Sequence, residues 1–237
     1  MLRRTHNGEG LPFYADRVSS AKNNNQGAGK MLTIHGRANS INVRKVLWTA
    51  DEVGILYERE DWGRGFRPVS DAAFQAMNPL GVVPVIDDVG FVLSESNTIA
   101  RYLAAKHGRT DLLPADPQGR AVVERWMDWQ AQEFNNSFRA AFLALVFKSP
   151  LPGGQETIDA SLADWPKKMA IVEDQLRQTG AYITGPNFTL ADVAIGMAVN
   201  RWFITPIQRP EFPAVSAYYD LLAERPAYQK HGRNGLP

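Results

Sequence analysis

The sequence predicts a small α/β domain followed by an all-α helical bundle. Three observations carry this. Short β-forming runs alternate with helical periodicity from residue 31 to about residue 108. A Pro- and Asp-rich stretch, 109–118, then has linker character. From residue 119 to 237 the apolar residues recur almost throughout at spacings of three and four, the mark of amphipathic helices.

Each element has its own signal. Residues 31–35, Met-Leu-Thr-Ile-His, form a short run of β-formers closed by Gly36. Val43, Val46, Leu47 and Ala50 share a helical face as far as Gly54, a helix stop. Residues 55–60 read as a second strand and 72–77 as a weak helix. The runs 82–86 and 91–93 flank Asp87-Asp-Val-Gly90, which predicts a hairpin. Ile99, Tyr102, Leu103 and Lys106 then continue a helix toward Gly108. A β-α-β unit followed by a hairpin and a helix implies a mixed sheet covered by helices. In the second half, 121–147 reads as one long helix, 150–154 interrupts it, and 158–178 resumes with Leu162, Trp165, Met169, Val172 and Leu176. A further helix starts at Thr189, and a final pair lies around 214–222 and 226–231.

Composition narrows the function classes. The 237 residues are 44% apolar and 22% charged, as in an ordinary globular chain. With no cysteine there is no disulfide, iron–sulfur cluster, Cys-based zinc site or protein thiol nucleophile. His35, His107 and His231 have no metal-ligand spacing, and Asp87-Asp88 belongs to a turn. No metal is expected. The net charge of +1 argues against a general nucleic-acid binder. The longest apolar run, 140–147, falls well short of the roughly 18 residues of a membrane span. Residues 1–30 stand apart: Gly- and Asn-rich, with five basic residues against two acidic, they read as a flexible extension, leaving 21 basic and 23 acidic residues in the body. No secretory signal is evident in them.

Four local features, in order and with the right element between each pair, resemble the cytosolic glutathione transferase superfamily. They are Gly36-Arg-Ala-Asn-Ser-Ile-Asn-Val-Arg-Lys45 after the first strand, Asn78-Pro-Leu-Gly-Val-Val-Pro84 before the third, Glu95-Ser96 at the third helix, and Gly185-Pro-Asn-Phe-Thr-Leu-Ala-Asp-Val193. The likeness spans about 31–231 and is nearest to the bacterial theta- and Nu-like types. It implies a thioredoxin-like domain before the helical one, and a homodimeric, cytoplasmic detoxification enzyme with glutathione as co-substrate.

By this resemblance Ser40 stands where theta-like enzymes carry a catalytic serine, and Asn42 is similar to the asparagine partner of the Nu class. The chemistry suits them. A cysteine thiol titrates near 8.5, so a transferase must favour the thiolate. A helix N-terminus supplies unpaired N–H groups and partial positive charge, to which side chains at residues 40 and 42 can add hydrogen bonds. A plain N-cap is the structural alternative for Ser40. Val83-Pro84 matches the family's cis-proline signature, through which the Val83 main chain pairs with glutathione's backbone. Glu95 and Ser96 match the pair that holds the γ-glutamyl end. The group meeting the glycyl carboxylate stays open among Arg67, Arg44 and a partner subunit.

Thr189 and Asp192 read as a helix cap, with Phe188 stapled onto Val193. Trp126, Trp129, Phe134 and Trp202 line either an acceptor pocket, for which Trp129 and Trp202 are the candidates, or simply the core. The expected function is attack of glutathione thiolate on a small electrophile. The alternatives are a Nu-like disulfide or peroxide reductase, glutathione-dependent isomerisation or dehalogenation, and a non-catalytic interaction module on the same fold.

Overall fold

The computed structural model describes residues 31–236; the expected extension at 1–30 lies outside the described residues. Strand β1 (Leu32–His35) leads into α1 (Ile41–Val53), β2 (Tyr57–Glu60), α2 (Ala72–Met77), β3 (Val85–Asp88), β4 (Phe91–Ser94) and α3 (Ser96–Lys106). The sheet order is β2-β1-β3-β4, with β1 parallel to β2 and antiparallel to β3. The β3–β4 hairpin pairs Asp88 with Phe91, as the turn at 87–90 predicts. Strand β2 starts two residues later than expected, because the Ile55 N–H bonds back to Ala50 O at 3.1 Å as part of the α1 stop. Gly54 makes that stop in the left-handed conformation, φ 82°, which glycine adopts without steric cost.

One face of the sheet is covered by α1 and α3, whose Val43, Val46, Leu47, Ile99 and Leu103 pack with Leu32, Ile34 and Ile86. A smaller cluster of Trp62, Phe74 and Val85 lies with α2. Helices α1 and α3 are also buried on their far sides: Ile41, Trp48, Ala100 and Ala104 belong to the core of the helical half. A helix buried on both faces needs apolar or neutralised residues all round, and α1 is buried without a break from Val43 to Ala50.

The helical half comprises α4 (Pro117–Trp129), a π-helical segment (Gln130–Phe134), α5 (Asn135–Leu145), α6 (Gly154–Thr179), α7 (Leu190–Ile204), α8 (Pro213–Ala223) and α9 (Pro226–His231). The single helix expected over 121–147 is therefore corrected. It begins at Pro117, where Asp116 caps it by accepting from Gly119 N at 2.7 Å, and it widens at 130–134, which the three- and four-residue apolar spacing does not register. The 109–116 connection is anchored: Leu112 and Leu113 are buried, Leu112 O accepts from Leu190 N at 2.9 Å, and Arg109 reaches the Glu52 carbonyl. The Thr189–Asp192 capping box forms as read, and its carboxylate also accepts from Ile183 N at 2.9 Å and from the Tyr218 hydroxyl at 3.0 Å. No described helix is long and apolar enough to cross a membrane.

Candidate functional site at the α1 and α3 N-termini

The loop after β1 turns through Arg37, whose carbonyl accepts from Ser40 N at 3.2 Å. Ser40 is the N-cap of α1, with extended backbone (φ −88°, ψ 125°), and it is buried. Its hydroxyl makes no capping bond to the helix. A serine at this position normally accepts from the second or third helical N–H, so here the oxygen is uncommitted. The first turn of α1 carries no acidic residue to offset the partial positive charge of the helix end. Asn42, one residue into the helix, is exposed.

The Val83-Pro84 bond is cis. Val83 stands just outside the sheet ladder, which begins at Val85. It is close-packed to the first loop: a Cβ built on Gly36 (φ 152°) would lie 3.1 Å from Val83 Cβ and 2.5 Å from Val43 Cγ2. The missing side chain at residue 36 thus sets the spacing between the start of α1 and Val83.

Glu95 precedes α3 with φ 73° and ψ 108°, a backbone conformation that costs a non-glycine residue about 1–3 kcal/mol. It is exposed, whereas Ser96 and Asn97 behind it are buried. A cleft of about 380 Å³ brings Asn42, Glu95 and Ser96 together with Lys45, Gln130 and Asn135. Ser40, Val83 and Pro84 are not part of its lining.

The floor of the cleft holds a group that the sequence reading passed over. Lys45 is buried and donates to Asn97 Oδ1 at 3.0 Å and Gln130 Oε1 at 3.2 Å, both neutral acceptors. Burial pushes its ammonium down to about 7; Glu95 works against this, and Arg201 and Arg101 work with it. Asn97 in turn donates to Met127 O at 2.7 Å. Lys45 thereby ties the glutamate–serine corner of the α/β half to the π segment of the helical half. The sequence does hold a signal for it: a charge set among Val43, Val46 and Leu47.

Two expectations need correction. Arg44, one of the candidates for an anionic ligand, is buried and turned toward the C-terminus, where it donates to the carbonyls of His231, Gly232 (2.5 Å) and Leu236 (3.0 Å) and to Asn234 Oδ1 (2.8 Å). Trp202 is 1% exposed, edge-on to Trp165 and tilted against Phe212, so it is core and faces no acceptor. Trp129 is half-buried between Trp126 and Phe134, and the latter two are buried. Arg67 is exposed, lies 3.8 Å over the Trp62 ring, and is 3.8 Å from the Glu60 carboxylate.

Comparison with known proteins shows the family. The N-terminal domain model of glutathione S-transferases matches residues 39–106, and the C-terminal domain model matches 155–221. The chain is 38% identical over 202 residues to the glutathione S-transferase GstB of Escherichia coli K12, covering 84% of this chain and 97% of that one. It belongs to the glutathione S-transferase family. Maize glutathione S-transferase 3 is 32% identical over 211 residues, covering 84% of this chain and 92% of that one. The theta class glutathione S-transferase of Xanthomonas axonopodis pv. citri, solved with glutathione bound, superposes with a TM-score of 0.80 at 39% identity, over 87% of this chain and 99% of that one. The family's thioredoxin-like domain is the β1–α3 half described above, and its helical domain is the α4–α9 half.

Proposed function

We propose that this transferase binds reduced glutathione across the two helix ends and activates its thiol as a thiolate for attack on a small electrophile. The observation that carries the reading is the Ser40 hydroxyl, buried at the end of α1 yet giving nothing to the helix it caps. In this arrangement Ser40 donates to the thiolate, and the unneutralised α1 N-terminus adds positive potential. Asn42 supplies a second polar contact to the bound tripeptide. The Val83 main chain pairs with the cysteinyl backbone as an added strand, next to Pro84. Glu95 takes the γ-glutamyl ammonium and Ser96, with the α3 N-terminus, takes its carboxylate.

Reaction is then largely a matter of proximity. Once sulfur and electrophile are held together, a bimolecular step becomes effectively unimolecular. The electrophile lies against the helical half, where half-buried Trp129 offers an apolar wall beside the cleft. The glutathione-bound theta class neighbour supports the ligand assignment. Homodimerisation, a cytoplasmic setting and a detoxification role follow from the family likeness and belong to the same proposal.

Calorimetric titration with reduced glutathione, repeated on Glu95→Ala, is the test. Saturable binding that the substitution abolishes is the expected result; no binding to the wild type overturns the reading. Turnover of an electrophile against that of a disulfide or a peroxide then separates transferase from reductase chemistry.

A further inference from the structure

Most of the described arginines that lie against the core have an acceptor. Arg44 has the C-terminal carbonyls, Arg209 the carbonyls of Trp202 and Phe203, Arg225 the Glu52 carboxylate and Arg101 that of Asp128. Among the described residues Arg37 and Arg201 have none. In Arg37 the Nε and Nη1 atoms are buried with no hydrogen-bond partner. Arg201, in the last turn of α7, is 9% exposed, with its guanidinium carbon 3.9 Å over the Phe142 ring. Among the described residues no hydrogen bond or ion pair reaches its side chain.

Arg37 lies at the Ser40 end of α1, and α7, which carries Arg201, packs against α1. Arg37 is the residue whose carbonyl holds Ser40 N. Arg201 is close enough to Arg37 and Arg44 for their charges to act on it; burial, with those two cations, pushes it down to about 9. A third guanidinium adjoins them. Arg64 lies 4.9 Å over Phe147, which meets Phe142 edge-on at 5.4 Å, and Arg64 also lowers Arg37 after burial itself. No carboxylate forms an ion pair with any of the three among the described residues. Aromatic faces hold cations but do not neutralise them. Arg64 is exposed and donates to Ser149 Oγ at 3.2 Å, but the buried guanidinium atoms of Arg37 and Arg201, held without an acid, need a counter-charge, and the planar fork suits a carboxylate or a similar oxyanion.

We propose that Arg37 and Arg201 receive an anionic group carried by the second substrate, so that this transferase acts on small electrophiles bearing a carboxylate or like anion. The inference rests on the glutathione-transferase reading above. The anion is a spectator that fixes the pose. Sulfur forms the new bond to the electrophilic carbon as the bond to the leaving group breaks, and the leaving group departs with the electron pair. Two anions, thiolate and carboxylate, then sit in one field of two or three cations. The same carboxylate chemistry has a second source, the glycyl end of glutathione, and the test separates the two.

The test compares chlorodinitrobenzoate with its methyl ester as electrophiles, for the wild type, Arg201→Met and Arg37→Gln, with glutathione affinity followed by calorimetry and folding by thermal unfolding. Wild type is expected to favour the carboxylate by about tenfold or more in kcat/KM. Either substitution should pull that ratio toward one, mainly by raising KM for the carboxylate. Arg37 sits in the loop before α1 and is only half-buried, so Arg37→Gln keeps the test open if Arg201→Met does not fold. An equal rate for both electrophiles in the wild type overturns the proposal, as does a ratio kept in both variants. A loss of glutathione affinity with equal losses for both electrophiles also overturns it, because the arginines then serve the glycyl carboxylate. Absence of glutathione binding in the wild type would fail the parent reading instead, a result that the calorimetry shows separately.

Discussion

Ser40→Ala separates a helix cap from a catalytic hydroxyl, because the two roles load different observables. An N-cap serine that bonds its helix is worth about 1 kcal/mol of stability, and in a chain of this size that is roughly 2–4 °C of melting temperature. Here the hydroxyl makes no such bond, so the substitution should move the melting temperature by no more than about 1 °C. The hydrogen bond at stake lies toward the ligand. A charge-assisted bond from a hydroxyl to a thiolate is worth about 1.5–3 kcal/mol. At about 1.4 kcal/mol per unit, losing it raises the bound thiol by about 1–2 pKa units. Turnover below the shifted value should then fall about 10- to 100-fold and recover as pH rises. The assay is ultraviolet absorbance of the thiolate against pH in the glutathione complex, paired with the pH profile of conjugation and a thermal melt. A melting temperature lowered by about 3 °C or more with an unmoved thiol titration would refute the argument and return Ser40 to ordinary capping.

Other perturbations follow from the same geometry. Gly36→Ala places a methyl group 2.5 Å from Val43 and 3.1 Å from Val83; it should cost about 1–3 kcal/mol by chemical denaturation and weaken glutathione binding, with Val43→Ala restoring part of both. Asp192→Asn turns one acceptor oxygen into a donor facing the Ile183 or Thr189 N–H or the Tyr218 hydroxyl, so unfolding should come about 3–4 kcal/mol easier. Burial raises the Asp192 carboxyl from 3.8 to about 6; the folded chain therefore binds that proton more tightly than the unfolded one, and this group's contribution to stability falls as pH rises between those values, a slope that the Asn variant should lack. Burial lowers Lys45 from 10.5 to about 7, so in that window the unfolded chain holds more protons, and wild-type stability should gain with rising pH relative to Lys45→Met.

What was legible in the sequence, and what was not, divides along a physical line. Punctuation and periodicity are local, so the α1 stop at Gly54, the 87–90 turn and the Thr189–Asp192 cap could be read directly. The corner residues Glu95 and Ser96 could be picked out because their motif is contiguous, and the cleft brings them next to Asn42. Periodicity says that a face is buried but not what covers it. Val43 and Trp48 both read as apolar, yet one packs on the sheet and the other enters the helical core. Trp202 drew notice as an aromatic, and it is core for the same reason. The converse error matters more for function. A cation in a helix reads as a solvated face, so periodicity does not predict the burial of Arg44 or Arg201, and for Lys45 the one hint is its place among Val43, Val46 and Leu47; all three are buried. Their burial depends on two halves of the chain closing over α1, a contact that no single helix encodes. Arg44 meets backbone carbonyls and Lys45 meets two amides, so each has donors satisfied without needing a ligand. Arg201 has an aromatic face and no acceptor. That difference is what points outward from the protein to the charge of its second substrate.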